Sequence, residues 1–176
     1  AGFLSFGDTI KLLRSRGEAM QNAVPKGEGG MLAVLGSTIV EIERILEDHK
    51  DDFIIEIAND NSDGQIVLSG KNDDLLRITE VFKNKNIKNI KLPVSAPFHC
   101  KLMSRATETM RREIENKNFR DVEIKLISNV TADEIANKDD LKKLLIKQIE
   151  SRVRWRESVI KMIDKGVNQF IEIGPG

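Results

Sequence analysis

The stretch Leu92-Pro93-Val94-Ser95-Ala96-Pro97-Phe98-His99-Cys100-Lys101-Leu102-Met103 separates two kinds of pattern in this chain. Before it, Ile90, Leu92 and Val94 alternate, which predicts a half-buried strand over Ile87–Val94. After Cys100, Leu102, Ala106, Met110 and Ile114 recur every fourth residue, which predicts a helix from Lys101 to about Lys117. Pro97 holds Ala96 away from helical geometry, so the change of period is abrupt. His99 therefore falls where a strand hands over to a helix N-terminus, a place where open α/β folds put ligand sites. The partial positive charge of a helix N-terminus disfavours imidazolium and suits a neutral base. A purely structural histidine fits the same position. The second histidine, His49, lies in the charged run Glu47–Asp52 and reads as part of a solvated helix end.

Working upstream, residues from Gly30 to Pro97 show strand, helix, strand, strand, helix, strand. The strands are expected at Met31–Leu35, Phe53–Ala58, Gln65–Ser69 and Ile87–Val94, and the helices at Ile39–Asp48 and Leu75–Asn84. That order is the ferredoxin-like split βαβ arrangement. Between the middle strands lies Asn59-Asp60-Asn61-Ser62-Asp63-Gly64-Gln65, rich in residues that tolerate left-handed backbone. Such composition is what a turn requires, whether or not it also binds anything.

Further upstream, Ser5-Phe6-Gly7-Asp8 resembles a capping box. It opens a helix expected to reach about Val24, with Ile10, Leu13, Met20 and Val24 as its apolar face. Arg16 breaks that face, because its helical neighbours are Leu12, Leu13, Ala19 and Met20. An arginine snorkelling from a helix edge explains it. So does a buried guanidinium waiting for an anion. Downstream, Val122–Ile127 alternates as a strand. Asp139–Glu150 is expected to be a helix with Leu141, Leu144 and Leu145 inward and Gln148 polar on the same face. Ser151 can cap the helix that follows, Gly166 fits its end, and Asn168–Ile173 reads as a last strand.

Composition bounds the function. The 176 residues suit one domain or a domain with a small insert, with 40% hydrophobic and 32% charged residues. Lys+Arg and Asp+Glu each total 28, which makes no case for nucleic acid or membrane as partner. The single cysteine, Cys100, rules out an internal disulfide and fits a reducing compartment such as the cytoplasm. Two distant histidines and one cysteine lack metal-ligand spacing. Gly29-Gly30 is followed by neither Lys-Ser nor Lys-Thr, so it is no phosphate loop. A Cys100 nucleophile beside His99 fails because adjacent side chains rarely point together.

Val94-Ser95-Ala96-Pro97-Phe98-His99-Cys100-Lys101-Leu102-Met103 resembles the catalytic-histidine motif of malonyl-CoA:acyl-carrier-protein transacylases. Arg16-Gly17-Glu18-Ala19-Met20-Gln21, Asn59–Gln65 and Glu172-Ile173-Gly174-Pro175-Gly176 match further motifs of that family in the same order. The resemblance implies an acyltransferase of fatty-acid synthesis with malonyl-CoA and acyl-carrier protein as partners and no cofactor or metal. It assigns His99 as general base and Gln148, through its backbone carbonyl, as the acceptor that orients it. It assigns Arg16 to the malonyl carboxylate, and it puts Asn61 and Gln65 beside the cleft, toward substrate or pantetheine. Phe98, bulky and held by Pro97, is expected to close the space beside the malonyl C2. The implied fold is α/β, with a ferredoxin-like βαββαβ subdomain (30–98) inserted into part of a hydrolase-like core (1–29 and 99–176).

Departures from the family pattern are Asp63 in place of proline and Ser151-Arg152 in place of Asn-Pro, while Trp155 matches the family's aromatic. The Gly-His-Ser-x-Gly elbow that carries the family's nucleophilic serine, and its Gly-Gln-Gly-rich oxyanion segment, do not occur in these residues. The resemblance therefore implies the C-terminal portion of such an enzyme, inactive alone. A non-catalytic module that binds a carrier protein or CoA is the alternative.

Overall fold

The structure is a computed structural model and describes residues 2–174. Its fold is α/β. β1 (Gly29–Leu35) is buried along nearly its whole length, which demands cover on both faces. Thr38 caps α2 (Ile39–Asp48) by accepting from the Glu41 N–H, within the bounds the periodicity predicts. β2 (Ile55–Ser62) and β3 (Gln65–Lys71) form a hairpin. Gly64 takes the φ of +75° that the tight turn requires. α3 (Asn72–Asn84) returns the chain to β4 (Lys88–Lys91). The sheet runs β2-β3-β1-β4, every neighbouring pair antiparallel.

Alternation along these strands sorts the side chains onto two faces. Leu32, Val34, Ile55, Ile66 and Leu68 pack against Ile42 and Ile45 of α2 and Leu75, Ile78 and Phe82 of α3. Met31, Ala58 and Val67 cover the other face, where Leu92 and Phe98 pack onto them.

A helical layer flanks that second face. Ser5 caps α1 (Phe6–Gln21), accepting from the Asp8 N–H while its hydroxyl donates to the Asp8 carboxylate at 2.7 Å. A short 3-10 turn, Lys101–Met103, leads into α4 (Ser104–Glu115). A two-stranded ribbon, β5 (Ile127–Ser128) and β6 (Asp133–Glu134), precedes α5 (Lys138–Lys147) and α6 (Trp155–Asp164). Leu12, Met20, Met103, Met110, Ile114 and Leu141 are among the residues of its core.

Several expectations are corrected. Ile90 and Val94 are exposed, and β4 stops at Lys91. β4 is an edge strand, and Pro93 has no N–H with which to continue the ladder. α1 buries Leu12 rather than Ile10 and Leu13, the latter 61% exposed. It packs against α4 on the Leu12–Met20 side, and it ends at Gln21, with Asn22 as its C-cap. α5 turns Leu141 and Ile146 inward and leaves Leu145 exposed. Ser151 does not cap α6. Its N–H donates back to Lys147 O at 3.0 Å, extending the end of α5, and Arg154 stands at the N-cap. The strand expected over Val122–Ile127 shrinks to Ile127–Ser128, and Asn168–Ile173 forms none. Alternation marks which side chains are apolar, but a strand exists only where a neighbour satisfies its N–H and C=O groups. Gly166 does occupy the position just past α6, with a φ of +88°. Pro175 and Gly176 of the terminal motif lie outside the described residues.

Candidate active site

The connection from β4 to α4 is pressed against the sheet. Ala96 and Pro97 are buried, and a Cβ at Gly29 would run into the Pro97 ring. His99 follows with a φ of +59°. This left-handed conformation costs a non-glycine residue about 1–3 kcal/mol, and such strain collects at functional positions. The Cys100 thiol donates to Pro97 O at 3.1 Å, so it faces back along the chain. Burial pushes its pKa up, and a protonated thiol is a poor nucleophile.

The His99 imidazole has a defined partner. Nδ1 lies 2.9 Å from the backbone carbonyl of Gln148, at the C-terminus of α5. A carbonyl can only accept, so Nδ1 carries the proton and Nε2 keeps a free lone pair. Burial pushes the His99 pKa below its ordinary value of 6.5. The Gln148 carbonyl opposes that shift, and the Arg16 charge adds to it. The imidazole is therefore neutral at neutral pH and presents Nε2 as a base. The Gln148 side chain steadies the arrangement by donating to Ser151 O at 3.3 Å.

Arg16 projects from α1 among Leu12, Ala19 and Met20, partly buried. Burial alone pushes its pKa down, with no carboxylate among the described residues to oppose it. An unneutralised guanidinium within electrostatic range of His99 is an anion site by its own physics. Phe98 is half-buried and packs on the helical core and on the second face of the sheet. With Gln21, Gly29, Asn72, Pro93 and Ser95 it lines a hollow of about 500 Å³.

Asn61 and Gln65, at either end of the β2–β3 turn, make no hydrogen bond to this group. Gln65 is exposed and pairs with Leu35, at the end of β1 opposite the Gly29 against which Pro97 packs. The length of β1 separates those ends by roughly 20 Å at the rise of a strand. A larger hollow, about 970 Å³, lies between α2, β2 and the 147–154 segment. Its charges are mostly paired, as in Arg152–Glu43 at 2.7 Å and Lys50–Glu47 at 2.6 Å, which leaves little field to recruit a ligand. Among the described residues no cluster of His, Cys, Asp and Glu could hold a metal ion, and no helix is long and apolar enough to cross a membrane.

Sequence reasoning missed one pair. Asp60 is fully buried and bound by both prongs of Arg156, 96 residues away. Asp60 falls within the stretch read as a turn, Arg156 drew no reading at all, and no spacing rule joins them.

A neutral base held by a carbonyl, with a free guanidinium nearby, is suited to moving an anionic acyl group between nucleophiles. The chain belongs to the acyl transferase domain family, which matches it over residues 1–176. It is 41% identical over 178 residues to the malonyl CoA-acyl carrier protein transacylase of Bacillus subtilis, an alignment covering 100% of this chain and 56% of that relative. The crystal structure of the malonyl CoA-acyl carrier protein transacylase from Clostridium perfringens superposes with a TM-score of 0.95 at 40% identity, over 99% of this chain and 55% of that one. A malonyl-transacylase in complex with its type II PKS acyl-carrier protein superposes at 0.94 and 32% identity, over 100% of this chain and 57% of that one. The chain thus spans little more than half the length of these relatives.

Proposed function

We propose that this chain supplies the base and the acyl-carboxylate site of a malonyl-CoA:acyl-carrier-protein transacylase of fatty-acid synthesis. The observation that carries the reading is the 2.9 Å contact from His99 Nδ1 to Gln148 O, which leaves Nε2 free as a base close to an unpaired Arg16. We assign the nucleophile to the serine of the family's Gly-His-Ser-x-Gly elbow, a sequence that does not occur among the 176 residues. His99 Nε2 takes the serine proton as the oxygen attacks the malonyl thioester, then gives it to the departing CoA thiolate. In the second half it takes the proton of the carrier's pantetheine thiol as the sulfur attacks the acyl-serine, and returns it to the serine oxygen. Arg16 grips the malonyl carboxylate with its planar fork, and Phe98 closes the space beside C2. Asn61 and Gln65 are assigned to the side of the cleft, toward substrate or pantetheine. No cofactor or metal takes part.

The same reading makes residues 30–98 a ferredoxin-like subdomain inserted into a hydrolase-like core formed by 1–29 and 99–176. The βαββαβ order and the β2-β3-β1-β4 antiparallel sheet support it. The binding-module alternative is not favoured, since docking a carrier needs no imidazole held in one tautomer.

The test compares malonyl and acetyl thioesters in a polypeptide that joins this chain to the serine elbow. Arg16→Ala is expected to lower kcat/KM for malonyl transfer by roughly 10²-fold, the scale of a lost charge-assisted pair, while acetyl transfer is spared or improved. Arg16→Lys, which keeps the charge and loses the fork, should rescue little. Equal losses for both thioesters would make Arg16 a structural residue and remove the malonyl assignment.

A further inference from the structure

The pair formed by the buried Asp60 and the half-buried Arg156 sits one short segment away from the acceptor of His99. Arg156 Nε donates to Oδ1 and Oδ2 of Asp60 at 3.0 and 3.1 Å, and Nη2 donates to Oδ2 at 2.9 Å. A fork of this kind fixes direction as well as distance. The backbones are tied at the same place. Asp60 N–H donates to Val153 O at 2.9 Å, Val153 N–H donates to Ala58 O at 2.7 Å, and Asn59 and Val153 form a parallel bridge.

The segment held in this way carries the Gln148 carbonyl. Gln148 Nε2 bonds Ser151 O, and Ser151 N–H bonds Lys147 O. Only Arg152 separates Ser151 from Val153. One end of the turn is thus anchored in α5, and the other end is anchored to β2 through Asp60. A buried ion pair is a weak source of stability compared with apolar packing, while loss of one partner strands a charge. The return from this pair is geometric.

We propose that Asp60 and Arg156 are a positioning pair that holds the Gln148–Val153 turn against β2 and so fixes the orientation of the His99 imidazole. Neither residue touches reacting atoms. The catalytic meaning of that orientation rests on the reading of His99 as the base, but the orientation itself can be measured without it.

The experiment is ¹⁵N NMR of the His99 ring in this chain, with Asp60→Asn and Arg156→Lys beside the unaltered protein, at a pH where the imidazole is neutral. The unaltered chain should show a dominant Nδ1–H tautomer. Each variant should show a mixture of tautomers and faster exchange of the Asp60 and Val153 amides, while β1 and β3 amides stay protected. In a polypeptide that adds the serine elbow, Arg156→Lys should lower kcat by roughly 10–10²-fold, the scale of a small misplacement of a catalytic group, with KM nearly unchanged. A folded Arg156→Lys chain that keeps a single Nδ1–H tautomer overturns the proposal. If Asp60→Asn fails to fold, Arg156→Lys carries the test. If neither folds, the pair is a folding element and the proposal is wrong. A mixed tautomer in the variants, together with no malonyl transfer by the unaltered polypeptide, would uphold the positioning role and sink the transacylase reading instead.

Discussion

The four-stranded sheet with its two helices and the helical layer beside it each close an apolar core and each leave apolar side chains in the open. In the sheet unit Val34, Ile42, Leu68, Ile78 and Phe82 have no exposed surface, and α2 and α3 cover one face completely. In the helical layer Phe6, Ile10 and Leu13 line up along α1 in the open, Phe6 with 81% of its surface exposed. Ile160 and Ile163 of α6 are exposed too, and so are Ile171 and Ile173 beyond it. Yet Arg16, His99 and Gln148 all belong to the helical layer or its junction with the sheet. The sheet contributes a floor under Phe98 and an anchor at Asp60. Both regions close a core, Met103 and Ile149 being as fully buried in the helical layer as Phe82 is in the sheet unit, so what separates them is the side chains of the candidate site and not the depth of packing.

The largest effect that could break this comparison is at His99. In a polypeptide that includes the serine elbow, His99→Ala should slow malonyl transfer by roughly 10²–10⁴-fold while the thermal midpoint hardly moves. A large loss of thermal stability would show that His99 holds the two regions together and that its chemistry is secondary.

Next come paired core and surface substitutions, read by denaturant unfolding of this chain. Phe82→Ala should cost about 3–5 kcal/mol, because it empties a site closed on all sides. Phe6→Ala, on the exposed face of α1, should stay within about 0.5 kcal/mol. A larger cost at Phe6 than at Phe82 would show that these exposures do not describe the chain in solution.

A smaller effect should appear where the regions meet. If Phe98 closes the space beside the malonyl C2 as proposed, Phe98→Ser should shift the malonyl-to-methylmalonyl ratio of kcat/KM by about 1–3 kcal/mol, the scale of one methyl in an apolar pocket. An unchanged ratio would leave Phe98 as packing alone.

The smallest is a dependence of stability on pH. Burial holds the folded His99 pKa below 6.5. Between the folded value and 6.5 the unfolded chain therefore binds a proton that the folded chain does not. Stability is full above pH 6.5, falls as the pH drops through that window, and levels off below the folded value. Measured between pH 8 and pH 5.5, His99→Gln should lose less of its unfolding midpoint than the unaltered chain does. Equal losses would place the acid sensitivity elsewhere.

Much of the fold was legible because periodicity is local. α2 appears between Ile39 and Asp48 as its pattern predicts, and the hairpin turns at Asp63 and Gly64, where the composition calls for a turn. The readings of Val122–Ile127 and of Asn168–Ile173 as strands failed for one reason: alternation records the polarity of side chains and carries no information on whether a strand lies alongside.

The sequence by itself determined the βαββαβ order, the junction at His99, and an arginine at position 16 that its apolar neighbours leave without a partner. These follow from the identities of residues within a few turns of one another. Only the tertiary structure decided that Gln148, 49 residues on, presents its carbonyl to His99, that His99 adopts a left-handed backbone, and that Asp60 and Arg156 meet across 96 residues. Those features depend on packing between distant segments. A hydrogen bond between them leaves no period in the chain, because a turn residue and a helix surface residue look the same whether or not they find each other.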